Sequence, residues 1–239
     1  MFGKNEVSGP FNNLGDKFRV TELFYTLQGE GPDAGKAAIF LRLSKCNLRC
    51  FFCDTEFEVG TEYEIDTLLN EINKMRIGTA ARIVVITGGE PLLQNIVPLV
   101  KAINLLGLPV SIETAGTVYL DGLERLFRHD RAIFDNLIVC SPKTPRVNEQ
   151  LEGLVGAWKY IITKDDTSEM DGLPIKSTQI RDKEQVLFRP LNSVAPIYVQ
   201  PMDQQDEIDN RRNLQEATES ALKFGHILSV QMHKLAELP

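Results

Sequence analysis

Ala37-Ala-Ile-Phe-Leu-Arg-Leu43, then Ser44-Lys45, then Cys46-Asn-Leu-Arg-Cys50-Phe-Phe-Cys53: an apolar run leads into three thiols spaced by three and two residues. A short apolar run of this kind is a strand, and one that is buried on both faces belongs in a parallel sheet. A loop at the strand's carboxyl end can wrap three sulfurs around one inorganic cluster. Three thiolates leave one iron of a four-iron cube without a protein ligand, and that iron is a coordination site for a small molecule. Zinc is the competing reading, but zinc knuckles pair their ligands with a second pair downstream. The one further cysteine, Cys140, stands inside the apolar run Asn136-Leu-Ile-Val-Cys140 and is expected to be a small buried hydrophobe.

Ile86-Thr87-Gly88-Gly89-Glu90-Pro91 ends a second buried strand. Its paired glycines permit positive φ and let another molecule approach the backbone, whose carbonyls can accept bonds from an ammonium group. Alone this is a common turn; beside the thiol loop it is specific.

Outward from these two motifs the chain alternates. Strands are expected at Phe18 to Thr26, Ala37 to Leu43, Arg82 to Thr87, Pro109 to Thr114, Asn136 to Ser141, Trp158 to Thr163, Pro196 to Gln200 and His226 to Met232. Asp66 is placed to cap a helix carrying Leu68, Ile72 and Met75, and Ile96, Leu99, Val100, Ile103 and Leu106 form a second stripe that stops at Gly107. Pro98 blurs the start of that second helix. Asp209 to Phe224 is a third amphipathic segment and Leu120 to Arg128 a weaker one. A full eightfold βα barrel takes about 250 residues and one helix per strand. With fewer helices than strands, an α/β fold in the form of an incomplete, abbreviated barrel fits better, as one domain over residues 1–239 with a loosely held lead-in at 1–17.

The 239 residues are 43% hydrophobic and 25% charged, which fills a core and excludes disorder. Mean hydropathy is -0.14. No run approaches the roughly 20 apolar residues of a membrane span, and the N-terminus lacks a signal peptide's basic and apolar blocks. The expectation is a soluble, cytoplasmic protein without a membrane partner. A net charge of -7 with no basic patch opposes nucleic-acid binding.

With the thiol loop and the Gly-Gly-Glu-Pro turn in view, the sequence resembles the radical S-adenosylmethionine enzymes. Within them it is similar to the 7-carboxy-7-deazaguanine synthase family of the queuosine pathway. The residues that carry the likeness are Thr26-Leu-Gln-Gly-Glu-Gly-Pro32, Arg42 four positions before Cys46, Cys53-Asp-Thr55, Ser141-Pro-Lys143 and the ending His233-Lys-Leu-Ala-Glu-Leu-Pro239.

The resemblance implies that a reduced four-iron four-sulfur (4Fe-4S) cluster splits S-adenosylmethionine to methionine and a 5'-deoxyadenosyl radical. The radical takes a hydrogen from 6-carboxy-5,6,7,8-tetrahydropterin; ring contraction, loss of ammonia and return of the hydrogen follow. It also implies magnesium (Mg2+), an external electron donor of flavodoxin-like type and a homodimer. Residue by residue, Cys46, Cys50 and Cys53 would hold the cluster. Gly89, with Ser141, Pro142 and Lys143, would line the S-adenosylmethionine site, and Gln200, Pro201, Met202 and Asp203 its adenosyl end. Thr55 would ligate magnesium. Leu27, Gln28, Gly29, Thr87, His233 and the terminal carboxylate of Pro239 would meet the pterin. Arg42, a planar two-pronged donor, would take its carboxylate or, alternatively, form a salt bridge. Glu113 would enter the cavity or serve as a cap or ion-pair partner.

The lead-in and the polar span from Lys164 to Ala195 are longer than the family's minimal form, and neither is expected to touch a proposed ligand residue. Two rivals remain: an activase that installs a glycyl radical on a partner protein, and a non-enzymatic metal module.

Overall fold

A computed structural model describes residues 6–11, 13–53, 55–129, 131–179, 185–191 and 193–238. Along the chain run β1 (Lys17–Leu27), β2 (Ala37–Leu43), β3 (Thr61–Glu64), α1 (Ile65–Gly78), β4 (Ile83–Gly88), α2 (Val97–Leu105), β5 (Val110–Thr114) and α3 (Arg131–Phe134). Then follow β6 (Leu137–Cys140), α4 (Glu149–Glu152), β7 (Ala157–Ile162), β8 (Ile197–Pro201), α5 (Glu207–Phe224), β9 (Ile227–Leu228) and α6 (Met232–Leu235). The strands make one sheet in the order β3-β1-β2-β4-β5-β6-β7-β8-β9. β1 is antiparallel to both β2 and β3, and from β2 to β9 all neighbours are parallel. The sheet stays open, with β3 and β9 at its edges, which is the abbreviated barrel expected.

The central strands are apolar throughout because both faces are covered. On one face Ile39, Leu41, Leu43, Val84 and Ile86 pack with Leu68 and Ile72 of α1 and with Leu99, Val100 and Ile103 of α2. Each such side chain contributes about 1.5–3 kcal/mol on burial. The other face carries a small cluster of Ala38, Ile83 and Val85 with Phe40 packed against it. Among the described residues no helix is long and apolar enough to cross a membrane.

Several boundaries differ from expectation, each for a local reason. Glu64, not Asp66, takes the N-cap position of α1, without a side-chain cap bond; Asp66 lies in the first turn, where its charge complements the helix's positive end. Pro98 sits in the first turn of α2, where its missing N–H is no loss. α5 starts two residues early because the Asp206 carboxylate accepts from the Ile208 and Asp209 amides, and it stops at Gly225 with φ 76°. The weak helix expected at Leu120 to Arg128 is present as a short helical segment over 123–129, π-helical at Arg125–His129. Of the strand expected at His226 to Met232, Ile227–Leu228 alone pairs with β8, and the chain then turns into α6.

The lead-in also differs. Val7 bridges Cys46, Ser8 N–H donates to the Cys46 carbonyl at 2.8 Å, and Phe11 N–H donates to the Leu93 carbonyl at 2.8 Å. Asn95 N–H donates to Asn13 Oδ1 at 3.1 Å. These bonds tie the lead-in to the thiol loop and to the Gly-Gly-Glu-Pro turn.

Candidate active site

A cavity of about 650 Å3 brings together most of the residues singled out in the sequence. Cys46, Cys50, Cys53 and Thr55 lie on its wall, with Gly89, Ser141 and Lys143 beside them. The Gln200 to Asp203 stretch contributes all four of its residues. Leu27, Gln28, Arg42, Thr87 and His233 line the remainder, and Glu113 enters as well. Two residues do not line it. Pro142 borders a separate small recess with Phe52 and Pro174, and Gly29 lies behind the His233 ring. Pro239 and Asp54 lie outside the described residues.

The thiol loop is shaped by its neighbours. The cysteines are free thiols. The Thr178 hydroxyl donates to Cys50 Sγ at 3.2 Å, Gln179 Nε2 donates to the same sulfur at 3.1 Å, and Leu48 N–H donates to Cys46 Sγ at 3.4 Å. The polar 164–195 span therefore does touch a ligand residue through Thr178 and Gln179, and the lead-in does so through Ser8; the expectation that neither would is corrected. Burial pushes the Cys46 thiol up to about 12.

The paired glycines show the expected positive φ at Gly88 and a second cause besides. A Cβ on Gly88 (φ 147°) would lie 2.1 Å from the Leu43 carbonyl oxygen, and one on Gly89 would lie 2.2 Å from the Lys45 carbonyl oxygen and 2.7 Å from Cys46 Cβ. Their bareness lets the end of β4 press against the thiol loop. Glu90 completes the joint: its N–H donates to the Lys45 carbonyl at 3.0 Å, and its carboxylate accepts from Thr114 Oγ1 at 2.7 Å and from the Ala115 and Leu92 amides at 2.9 and 3.1 Å. Burial pushes Glu90 above its ordinary value, against the pull of those donors.

The cavity also holds a buried polar network. Lys159 Nζ is ion-paired with Glu30 and lies 3.8 Å from Glu113. Gln28 Nε2 donates to Glu113 at 3.0 Å, and Gln231 Nε2 donates to Glu30 at 2.7 Å. Burial alone would raise Glu30, but Lys159 and the Gln231 amide outweigh it and hold the carboxyl at about 2. Burial pulls His233 below its ordinary value, with Glu30 acting in the other direction. Lys143 is likewise pulled down by burial; its ammonium donates to the Ser141 hydroxyl and sits 5.8 Å from the Phe52 ring. Arg42 Nε donates to Glu22 Oε2 at 2.9 Å, so the salt bridge weighed for it is present on the cavity wall itself. The sequence reading missed Lys159. Its signal is a lone cation inside Ala157-Trp-Lys-Tyr-Ile-Ile162, a strand with five fully or nearly buried residues.

The radical SAM superfamily model matches residues 42–147, the stretch that holds the thiol loop, the glycine pair and Ser141 to Lys143. A 7-carboxy-7-deazaguanine synthase of Rhodospirillum rubrum is 41% identical over 100% of both chains. The chain belongs to the 7-carboxy-7-deazaguanine synthase family. A second synthase, from Rickettsia prowazekii, is 35% identical over 98% of this chain and 94% of its own. The crystal structure of QueE from Escherichia coli superposes with a TM-score of 0.64 at 25% identity, covering 90% of this chain and 94% of that one.

As a radical SAM enzyme the synthase family uses a four-iron four-sulfur cluster and S-adenosylmethionine, and the residues here fit both. Three free thiols share one wall, yet among the described residues no three His, Cys, Asp or Glu side chains converge tightly enough for a single metal ion. For the sulfonium ligand, Gln200 Oε1 is a buried acceptor on the same cavity with no partner among the described residues, the kind of group a ligand N–H satisfies.

Gly29 gives a prediction for this synthase family member. An added Cβ would lie 1.9 Å from His233 Nδ1 and 2.9 Å from the His233 backbone nitrogen. Gly29→Ala should displace α6, accelerating amide hydrogen exchange over residues 231–238 by about tenfold, the equivalent of an overpacking cost near 1–3 kcal/mol. Exchange in β4 and β5 should stay at the parent rate; unchanged exchange in α6 would contradict the packing described.

Proposed function

We propose that this protein converts 6-carboxy-5,6,7,8-tetrahydropterin to 7-carboxy-7-deazaguanine with loss of ammonia, as a radical S-adenosylmethionine lyase of queuosine biosynthesis. The observation that carries the reading is one cavity lined by the three thiols and Gly89 together with Arg42, Gln28, Glu30 and His233. When bound, the cluster supplies the electron that splits S-adenosylmethionine and yields the 5'-deoxyadenosyl radical.

Cys46, Cys50 and Cys53 hold the cluster, and Gly89, Ser141, Lys143 and Gln200 to Asp203 hold the sulfonium compound against it. Arg42 offers its guanidinium edge to the pterin carboxylate while Glu22 fixes its orientation. Glu30, held ionised by Lys159, and Glu113 accept N–H bonds from the heterocycle. Thr87 and Leu27 border the ring, and His233, kept neutral by burial, adds a nitrogen that can either give or receive a proton. Thr55 supplies one hydroxyl to a magnesium ion that keeps waters and borrows oxygens from the substrate. Residues 1–239 act as one domain, the working form is a cytoplasmic homodimer, and a flavodoxin-like protein delivers the electron.

Anaerobic incubation of the reduced, cluster-loaded protein with the carboxylated tetrahydropterin, S-adenosylmethionine and magnesium should give the deazapurine by mass detection. Cleavage of S-adenosylmethionine without any deazapurine would overturn the substrate assignment.

A further inference from the structure

α6 is a single helical turn with no buried residue, and Leu235 on it is 78% exposed. Apolar burial therefore does not hold it over the cavity, and its polar contacts must. On one side those contacts go to the loop after β1: Gln231 Nε2 donates to Glu30 at 2.7 Å, Met232 N–H donates to the Gly29 carbonyl at 3.0 Å, and the His233 ring lies on bare Gly29. On the other side, Lys234 Nζ forms an ion pair with Asp203 in the loop after β8. β1 and β8 stand at opposite flanks of the open sheet, with five strands between them. Four consecutive residues thus lace the two flanks together.

The Asp203 end of the lace is built in advance. Asp203 Oδ1 accepts from Gln205 N–H at 2.9 Å and from Asn210 Nδ2 at 2.8 Å, and the preceding Met202 carbonyl accepts from Asn213 Nδ2 at 2.9 Å. The carboxylate is thereby fixed at the head of α5. The Lys234 ammonium beside it helps hold it at about 2.

We propose that Lys234 is a positioning residue that couples the two ligand subsites: its pair with Asp203 ties the segment carrying His233 to the loop that receives the adenosyl end of S-adenosylmethionine. The inference rests on the functional reading above and deepens it. Filling one subsite settles the loop after β8, and Lys234 passes that order to α6, so the second ligand meets a His233 already in place.

The test uses full-length, cluster-loaded protein kept unreduced so that no turnover occurs, with pterin affinity measured by calorimetry with and without S-adenosylmethionine. In the parent, S-adenosylmethionine should tighten pterin binding about fivefold or more. K234M should lose most of that enhancement while keeping its affinity for S-adenosylmethionine alone, K234R should restore it, and N210A, which loosens Asp203 from behind, should weaken it in part. An unchanged enhancement in K234M, or none in a parent that binds both ligands, overturns the coupling role. A parent that binds S-adenosylmethionine but no pterin overturns the functional reading instead.

Discussion

Cys50→Ala is expected to yield a folded protein that takes up little iron and cleaves no S-adenosylmethionine. The thiol is half-buried in a loop outside the regular strands, and what it loses inside the protein is the pair of hydrogen bonds from Thr178 and Gln179. Those donors keep other acceptors, Thr178 the Lys143 carbonyl at 3.0 Å and Gln179 the Thr178 hydroxyl at 3.0 Å, so the fold survives. The cluster does not, because two remaining thiolates cannot hold three irons of a cube. Iron content, visible absorption and the yield of methionine with 5'-deoxyadenosine under anaerobic reduction read the effect. Cys140→Ala is the control: that sulfur is fully buried between β6 and Gly116, where a Cβ would come within 2.6 Å of it, so its removal leaves a void and lowers stability with iron uptake intact. Substantial cleavage by the Cys50 variant, or equal iron loss in both, would remove the thiol loop from the reaction.

The contrast between Cys50 and its donors shows which parts of the site were legible in the sequence. Cys46, Cys50 and Cys53 lie within eight positions and Gly88 and Gly89 are adjacent, so their chemistry is written in local spacing. Thr178 reaches Cys50 across 128 residues and Lys159 reaches Glu30 across 129, separations that only the tertiary fold closes. Burial governed the fold in the same way. β2 was readable to the residue because four of its seven positions are buried between β1 and β4 with both faces covered, leaving a nearly continuous apolar run. β3 has no buried residue, and its Thr-Glu-Tyr-Glu carries no hydrophobic signal, although its backbone pairs fully with β1. At the other edge the apolar stretch around Ile227 and Leu228 looked like a long strand, yet these residues are 43% and 37% exposed and only two of them pair. The chain leaves the sheet there because Gly29 and Asp203 draw residues 231–234 across the cavity instead. The glycine pair was recognised as special and its positive φ is present at Gly88, while the press of the thiol loop against it was not legible because Leu43 and Lys45 lie more than forty residues away.

Lys159→Met should be the most destabilising single change in the cavity. Lys159 is 7% exposed, so its ammonium has little water to rely on, and it is the cation shared by Glu30 and Glu113. Methionine fills nearly the same length but leaves both carboxylates facing a site built for a cation. Removing one partner of a buried pair costs about 3–5 kcal/mol, because the stranded charge stays desolvated. The loss should depend on pH with a definite sign. In the parent, Glu30 sits at about 2 against an ordinary 4.5, so its contribution is fully present above 4.5 and disappears as pH falls toward 2. In the variant, burial without the ammonium lifts Glu30 above 4.5, so acid neutralises the stranded carboxylate and relieves the strain. Denaturant unfolding at pH 7 and again near pH 4 should therefore show a wide gap between parent and variant that narrows in acid. Adding Glu30→Gln to Lys159→Met should recover much of the loss at pH 7, since the amide can still accept from Gln231 without carrying a charge. A gap of the same size at both pH values, with no recovery in the double variant, would make Lys159 a matter of packing alone, and Glu30 would then lose its standing as an ionised acceptor in the site.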